Sequence, residues 1–568
     1  MQWQDLVFSR VGLDVIRRYT LDMRFLFLIL ISLSSAAWAA PTWQQGESIP
    51  IDGRANPYDL GPEQLVQVTR AGRLHALVYP VSVTGALLPL RPIQNFLDEP
   101  TANPLRALLQ GLSRAFSKIE SFDQAMNWLG LHPYPENAGQ PESDIPLPPG
   151  MRAGQGMGLS LLQSEGVTGF TFSCAACHSA ELFGRPVLGM TNRFPRANAF
   201  FILGKQVTQA VMSPLFSLAT GANRQERLMY RRTRHNMFYV GSKRPEVLGL
   251  DTSLSHVALS LARRQRDAYA SKDSQKPWDP DDEPLATLPA DSKPAVWWNL
   301  KYKNRWLSDG SVLSGNPIVT NILWNEIGRG TDLRELEQWL EENRTKVEEL
   351  TTAVFASKAP RITEFFTAES IDLQAAQRGQ QLFSRRCAHC HGQYEKAWDQ
   401  PNFEQLPYAE QLRTTRVVYH AQTPVIDVGT DAFRREGMRS LESLNKLAIS
   451  QRNGVTVLQQ PGYVPPPLVG IWARWPYFHN NSAPNLCAVL MPANERPEFY
   501  YAGEAQDRDR DFDFACNGYP LGSATPASWQ TREYRYDTNR PGLSRQGHEI
   551  GGLTAPQRLD VIQFLQTL

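Results

Sequence analysis

Net charge, cysteine, histidine and long apolar runs are all scarce in this chain, and each scarcity narrows what the protein does. Its 568 residues carry a formal net charge of only +1. Nucleic-acid binding draws on the neutralisation of many phosphates, so bulk charge gives no case for it. The apolar run Phe25 to Leu33 falls well short of the ~20 residues that span a bilayer, so no stable membrane span is expected in the mature chain. Apolar residues make up 42% and charged residues 20%, the balance of an ordinary globular protein rather than a disordered one. The length leaves room for three or four domains. With only six cysteines and ten histidines, each can be considered individually.

Four of the cysteines fall in two copies of one pattern. Cys174-Ala-Ala-Cys177-His178 and Cys387-Ala-His389-Cys390-His391 both read as Cys-x-x-Cys-His, the attachment run for a c-type haem. Two thiols become thioethers to the porphyrin vinyl groups, and the adjacent imidazole becomes the proximal ligand of the iron. A zinc half-site or a redox dithiol needs the cysteines but not the terminal histidine, which both copies have. Two covalent haems are therefore expected as the cofactors. Cys487 and Cys516 remain, and in an oxidising compartment they would most simply pair with each other. Such a bridge would add about 3 to 4 kcal/mol in the chain-entropy account.

An oxidising compartment is also what the N-terminus predicts. Arg17, Arg18 and Arg24 precede the apolar run and the small residues Ser34 to Ala40, the order of a secretory signal. Ala37-Trp38-Ala39 fits the small-x-small cleavage rule, giving a signal over 1–39 and a mature start at Ala40. Met23 opens a more typical signal than Met1, so 1–22 reads as an upstream extension. The protein is expected to be periplasmic or secreted.

Residues 40–150 read as a loop-rich cover, with Leu74 to Val83 as strand or extended chain and helical spacing over Asn103 to Leu131. Gly154 to Ser173 leads into the first motif without a clean helix signal. The first haem domain with its insertion is placed at 151–364. Within it, Arg224 to Arg234 is dense in arginine, which suits a solvated helix face, the neutralisation of haem propionates or a docking patch for an acidic redox partner. Trp297 and Trp298 form its most aromatic spot, as core or as residues between the cofactors. One amphipathic helix is predicted over Thr331 to Ser357. In the second region, 365–568, Gly379, Phe383 and Cys387 are spaced by four on a helix starting near Asp372. Thr554 and Gln557 stand at capping-box spacing before a last helix whose Leu559, Ile562, Phe564 and Leu565 supply apolar contacts.

The first of these helices resembles the opening helix of class I cytochrome c domains. Pro466 to Arg474, continuing through Pro476 to Leu486, resembles the signature of bacterial di-haem c-type cytochromes, among them di-haem cytochrome c peroxidases and, more closely, rubber oxygenases. Glu495-Arg496-Pro497, Phe499-Tyr500, Gly547-His548-Glu549 and the Trp-Trp-x-x-Lys run at 297–301 add to that similarity. Asn481 departs from it by standing where glycine is usual, although Asn tolerates positive φ best among the other residues. The resemblance implies a mainly α fold with two cytochrome c-like haem domains, long loop-rich insertions and little β structure.

The resemblance also makes His548, in a glycine-flanked loop before the last helix, the second axial ligand of haem 2, with His479, Met438 and Met491 as rivals. A haem held by His391 and His548 has no vacant site and transfers electrons. Haem 1, on His178, then becomes the centre that reacts with dioxygen or peroxide, with Trp297 and Trp298 as candidate catalytic residues. His235, His256 and Met190 could each close its sixth position. The chain is thus expected to be a haem-dependent oxidoreductase of peroxidase or oxygenase type, served by a redox partner protein or small reductant. The alternative is a pure electron carrier with both irons six-coordinate. Asp507, Asp509, Asp511 and Asp513 alternate as in a calcium loop but lack the Gly and Glu such a loop uses.

Overall fold

The structure, a computed structural model, describes residues 41–273 and 283–568. The expected export segment 1–39 therefore lies outside the described residues. Of the described residues 42% are helical and 10% lie in strands, with only small sheets, so the expectation of a mainly α fold holds. No described helix is long and apolar enough to cross a membrane.

The first long helix, α1 (Pro62–Val78), is where sequence and structure part. Leu74 to Val78 is helical, not extended, because Val68, Gly72 and Ala76 recur every fourth residue and are buried together. A Cβ at Gly72 would lie 1.9 Å from the Glu349 carbonyl, so glycine allows two helix backbones to touch. The helix it touches is half of the predicted 331–357 helix. That segment is split into α4 (Leu333–Glu342) and α5 (Arg344–Phe355). Asn343 ends one and starts the other, its side chain donating to the Trp339 carbonyl at 2.9 Å.

Two hairpins frame the first Cys-x-x-Cys-His run. Ahead of it, β2 (Leu159–Ser164) pairs antiparallel with β3 (Val167–Phe172), and the short β1 (Leu88–Pro89) adds a third strand. Behind it, β4 (Ser179–Leu182) pairs with β5 (Arg185–Leu188). Both are joined by two-residue turns, Glu165-Gly166 and Phe183-Gly184, with φ positive at both positions, the conformation that matches strand twist. Cys174–Ala176 forms one tight 3-10 turn between them.

The second run is helical. Helix α6 (Leu373–Arg386) is capped by Asp372, whose carboxylate accepts from Ala375 N at 3.1 Å. It leads through Cys387 into the short helix Ala388–His391. The last helix, α7 (Ala555–Gln566), starts with the predicted Thr554/Gln557 capping box. A Cβ at Gly379 would sit 2.0 Å from the Asp560 carbonyl, so α6 and α7 cross at backbone contact, and Phe383 packs on Phe564 with ring centres 5.2 Å apart. Leu559 is 47% exposed, and Val561 takes the core place expected of it.

The main core gathers residues from both halves, including Ala180, Met190 and Trp298 with Trp472, Phe383 and Phe564. A second core holds Trp297, Trp306, Trp324 and Leu350. The segment expected to be a loop-rich cover instead carries the helices Pro62–Val78, Leu90–Asp98, Pro104–Ser117 and Phe122–Trp128, and its start is laced onto the rest by Ile49 N to Ala421 O at 3.1 Å and Tyr419 N to Ile51 O at 2.7 Å.

Candidate haem-binding site

A single cavity of about 780 Å³ is lined by Cys174, Cys177 and His178 at one end and by Cys387, Cys390, His391 and His548 at the other. Burial raises Cys174 to about 11, Cys177 to about 12 and Cys387 to about 11. A redox dithiol works as a thiolate with a depressed pKa, so this environment is the opposite of the one that chemistry needs. Among the described residues, no group of three or more His, Cys, Asp or Glu side chains is placed to hold a metal ion. That disfavours the zinc reading and the calcium loop together. Instead, the Asp511 carboxylate accepts from the backbone N–H groups of Gln506 and Asp507, both at 3.0 Å.

The histidines that end the two Cys-x-x-Cys-His runs are held alike. His178 Nδ1 donates to the Ala295 carbonyl at 2.9 Å, and His391 Nδ1 donates to the Pro466 carbonyl at 2.9 Å. A carbonyl only accepts, so each ring carries its proton on Nδ1 and leaves Nε2 as the lone-pair donor, the tautomer an axial ligand needs. Burial lowers both rings to about 4, so they stay neutral.

His548 faces His391 with ring centres 6.1 Å apart. An iron bonded at about 2 Å to one nitrogen of each ring, with each ring centre about 1 Å behind its nitrogen, places the centres about 6 Å apart. The pair therefore fits one iron between them. The backbone that brings His548 there is unusual, with φ +78 at Gly547 and φ +51 at His548 itself. A Cβ at Gly547 would meet Gly429 at 2.2 Å, and His548 N donates to Val428 O at 2.7 Å. Arg496, quoted above only as part of a motif, proves central to this loop. Its guanidinium donates to the carbonyls of Arg545, Gly547 and His548.

Of the rivals, Met438 and Met491 do not line the cavity, whereas His479 does. His479 stacks on Tyr463 with ring centres 4.1 Å apart, and its buried Nε2 has no protein partner. That is an orphaned polar atom of the kind a polar group of a bound cofactor satisfies. His389 is exposed at the cavity rim. Asn481 takes φ +63, the turn expected of it.

At the first site the arrangement differs. His235 and Met190 do not line the cavity. His256 does, but its Nε2 lies 2.6 Å from the Gly328 carbonyl, to which it donates. Trp297 lines the cavity with its ring centre 5.9 Å from that of His178. Trp298 does not line it. Its indole N–H donates to Val469 O at 2.9 Å within the main core. None of the arginines in 224–234 lines the cavity. Sequence reading passed over Asp251, which does, and which burial raises to about 7 despite N–H donation from Asn198.

The family described as RoxA-like, cytochrome c-like matches residues 462–501, the stretch that carries Pro466, Arg474, His479 and Arg496. This supports a RoxA-like haem cytochrome relationship and covalently bound haem. Two Sinorhizobium fredii proteins are similar to the chain. Uncharacterized protein y4iM is 27% identical over 50% of this chain and 62% of its own length. Uncharacterized protein y4iJ is 27% identical over 35% of this chain and 39% of its own. The chain thus spans less than two thirds of either relative.

Proposed function

We propose that this chain is an exported di-haem c-type oxidoreductase in which the two haems divide the work. Cys387 and Cys390, with His391 and His548, would hold haem 2, which would supply electron transfer there. Cys174, Cys177 and His178 would hold haem 1, which would supply reactivity towards dioxygen or peroxide. Electrons come from a redox partner protein or a small reductant.

The observation that carries this reading is an asymmetry. The 6.1 Å spacing of His391 and His548 suits a closed, six-coordinate centre. At the other end, Met190 and His235 lie off the cavity and His256 is tied to Gly328, which favours an open one. A bound haem supplies an iron that changes oxidation state and, with a free position, binds small oxygen species.

The chain's own residues set the conditions for that chemistry. Ala295 and Pro466 orient the two proximal rings, which steepens their lone-pair donation. Apolar walls from Trp297, Trp306 and Ile322 keep bulk water from the first site, while Asp251, holding a proton to about pH 7, offers a proton reservoir near Cys177. The exported location predicts a mature start near Ala40, which mass spectrometry of the exported protein checks.

Replacing His548 by Ala tests the assignment. It should convert one low-spin haem to a high-spin or exchangeable-ligand form, with both haems still covalently attached. An unchanged low-spin spectrum would overturn it.

A further inference from the structure

Three cations sit deep in the molecule with no carboxylate bound to them. Lys293, Lys303 and Arg474 all line the cavity. Protein encloses each of them, so the part of each side chain that stays accessible opens onto the cavity rather than onto solvent. Lys293 Nζ donates only to the carbonyls of Arg474 and Pro476, and Arg474 donates to the Pro467 carbonyl at 3.0 Å. The Lys303 ammonium has no hydrogen bond or ion pair among the described residues. The carboxylate whose charge acts on it, Asp309, is paired with Arg434 at 3.2 Å. Burial lowers the protonation of all three, and the Arg474 charge lowers that of Lys293 and Lys303 further.

An unpaired buried cation costs several kcal/mol, so a fold that keeps three of them together is built for an anion. Their position says which one. Lys293 lies two residues from Ala295, whose carbonyl orients His178, and Arg474 donates to Pro467, next to the Pro466 carbonyl that orients His391. The orphaned His479 Nε2 belongs to the same wall, and Lys293 N donates to His479 O at 3.0 Å. The cluster therefore lies between the two ends of the cavity and belongs to neither alone.

We propose that Lys293, Lys303 and Arg474 form one carboxylate-binding cluster that takes propionate groups from both haems and couples their reduction potentials. The proposal rests on the two-haem reading above. Fixed positive charge close to an iron favours its reduced form, because reduction adds one negative charge. Charge removed from a shared cluster must then lower both potentials, whereas charge removed from a private site lowers one.

The test uses purified, fully loaded protein and potentiometric titration followed by visible spectra. Lys303→Gln is the gentlest variant, since it breaks no hydrogen bond or ion pair of the Lys303 ammonium among the described residues. Arg474→Gln is the stronger one, and Arg474→Lys keeps the charge. The expected result is a fall in both midpoints for Lys303→Gln, each by about tenfold in the reduction equilibrium, about 59 mV for a one-electron couple. Arg474→Gln should do the same, Arg474→Lys should restore most of the shift, and solvent-facing Arg224→Gln should change nothing. A shift at one haem only, or at neither, overturns the proposal. Haem content by the pyridine haemochromogen assay separates the two failures, because fewer than two haems per chain in the unaltered protein would instead overturn the two-haem reading.

Discussion

The guanidinium of Arg496 holds the carbonyl of His548 at 3.1 Å and that of Gly547 at 2.7 Å, so one buried cation sets the backbone that turns His548 towards His391. Hydrogen bonds from a charged group are worth about 1.5–3 kcal/mol each. Arg496→Gln should therefore cost at least about 3 kcal/mol of stability. It should also let His548 leave the iron in part of the population, seen as a mixture of low-spin and high-spin signals. A homogeneous low-spin spectrum would show that the loop keeps its shape without Arg496.

Cys487 and Cys516 are joined as a disulfide across 29 residues, as the cysteine count predicts. The bridge ties Leu486, Val489 and Leu490, which line the cavity beside His548, to the chain around Asn517. Cys487→Ala with Cys516→Ala should lower stability by about 3 to 4 kcal/mol. Thiol titration of the unfolded, unreduced protein should find neither of these two cysteines free, and finding both free would refute the bridge.

Asp251 gives the stability a pH dependence whose sign follows from burial. Desolvation raises its carboxyl to about 7, against a smaller lowering by the Asn198 donors. An unfolded chain loses that proton near pH 4, about the ordinary aspartate value. The folded state binds the proton more tightly, so this contribution is complete below about pH 4 and is lost as pH rises to about 7. Denaturation measured between pH 4 and 8 should show that decline in the unaltered protein and less of it in Asp251→Asn. Equal slopes in both would remove Asp251 as the cause.

The two Cys-x-x-Cys-His runs were legible because each is a short, local pattern: Cys174 to His178 and Cys387 to His391 both reach the lining of one cavity, and a capping box such as Thr554 with Gln557 is equally local. The fold was less legible wherever long-range contact decides. Leu74 to Val83 read as an extended stretch, and the helix that takes in its first residues depends on the approach of the Glu349 backbone to Gly72. Asn343 splits one amphipathic pattern into two helices with little trace in its periodicity. Lys293, Lys303 and Arg474 are distant in sequence and unremarkable in type, and the cavity alone brings them together. Trp297 and Trp298 read as one aromatic pair, yet adjacent residues on a 3-10 turn point in different directions, and they part into separate cores.

The division of labour between the haems is tested most directly by the stoichiometry of carbon monoxide binding to the fully reduced protein. The account predicts one molecule bound per chain, at the haem on His178, rising to two in His548→Ala. No binding at all, or two molecules bound by the unaltered protein, would contradict it.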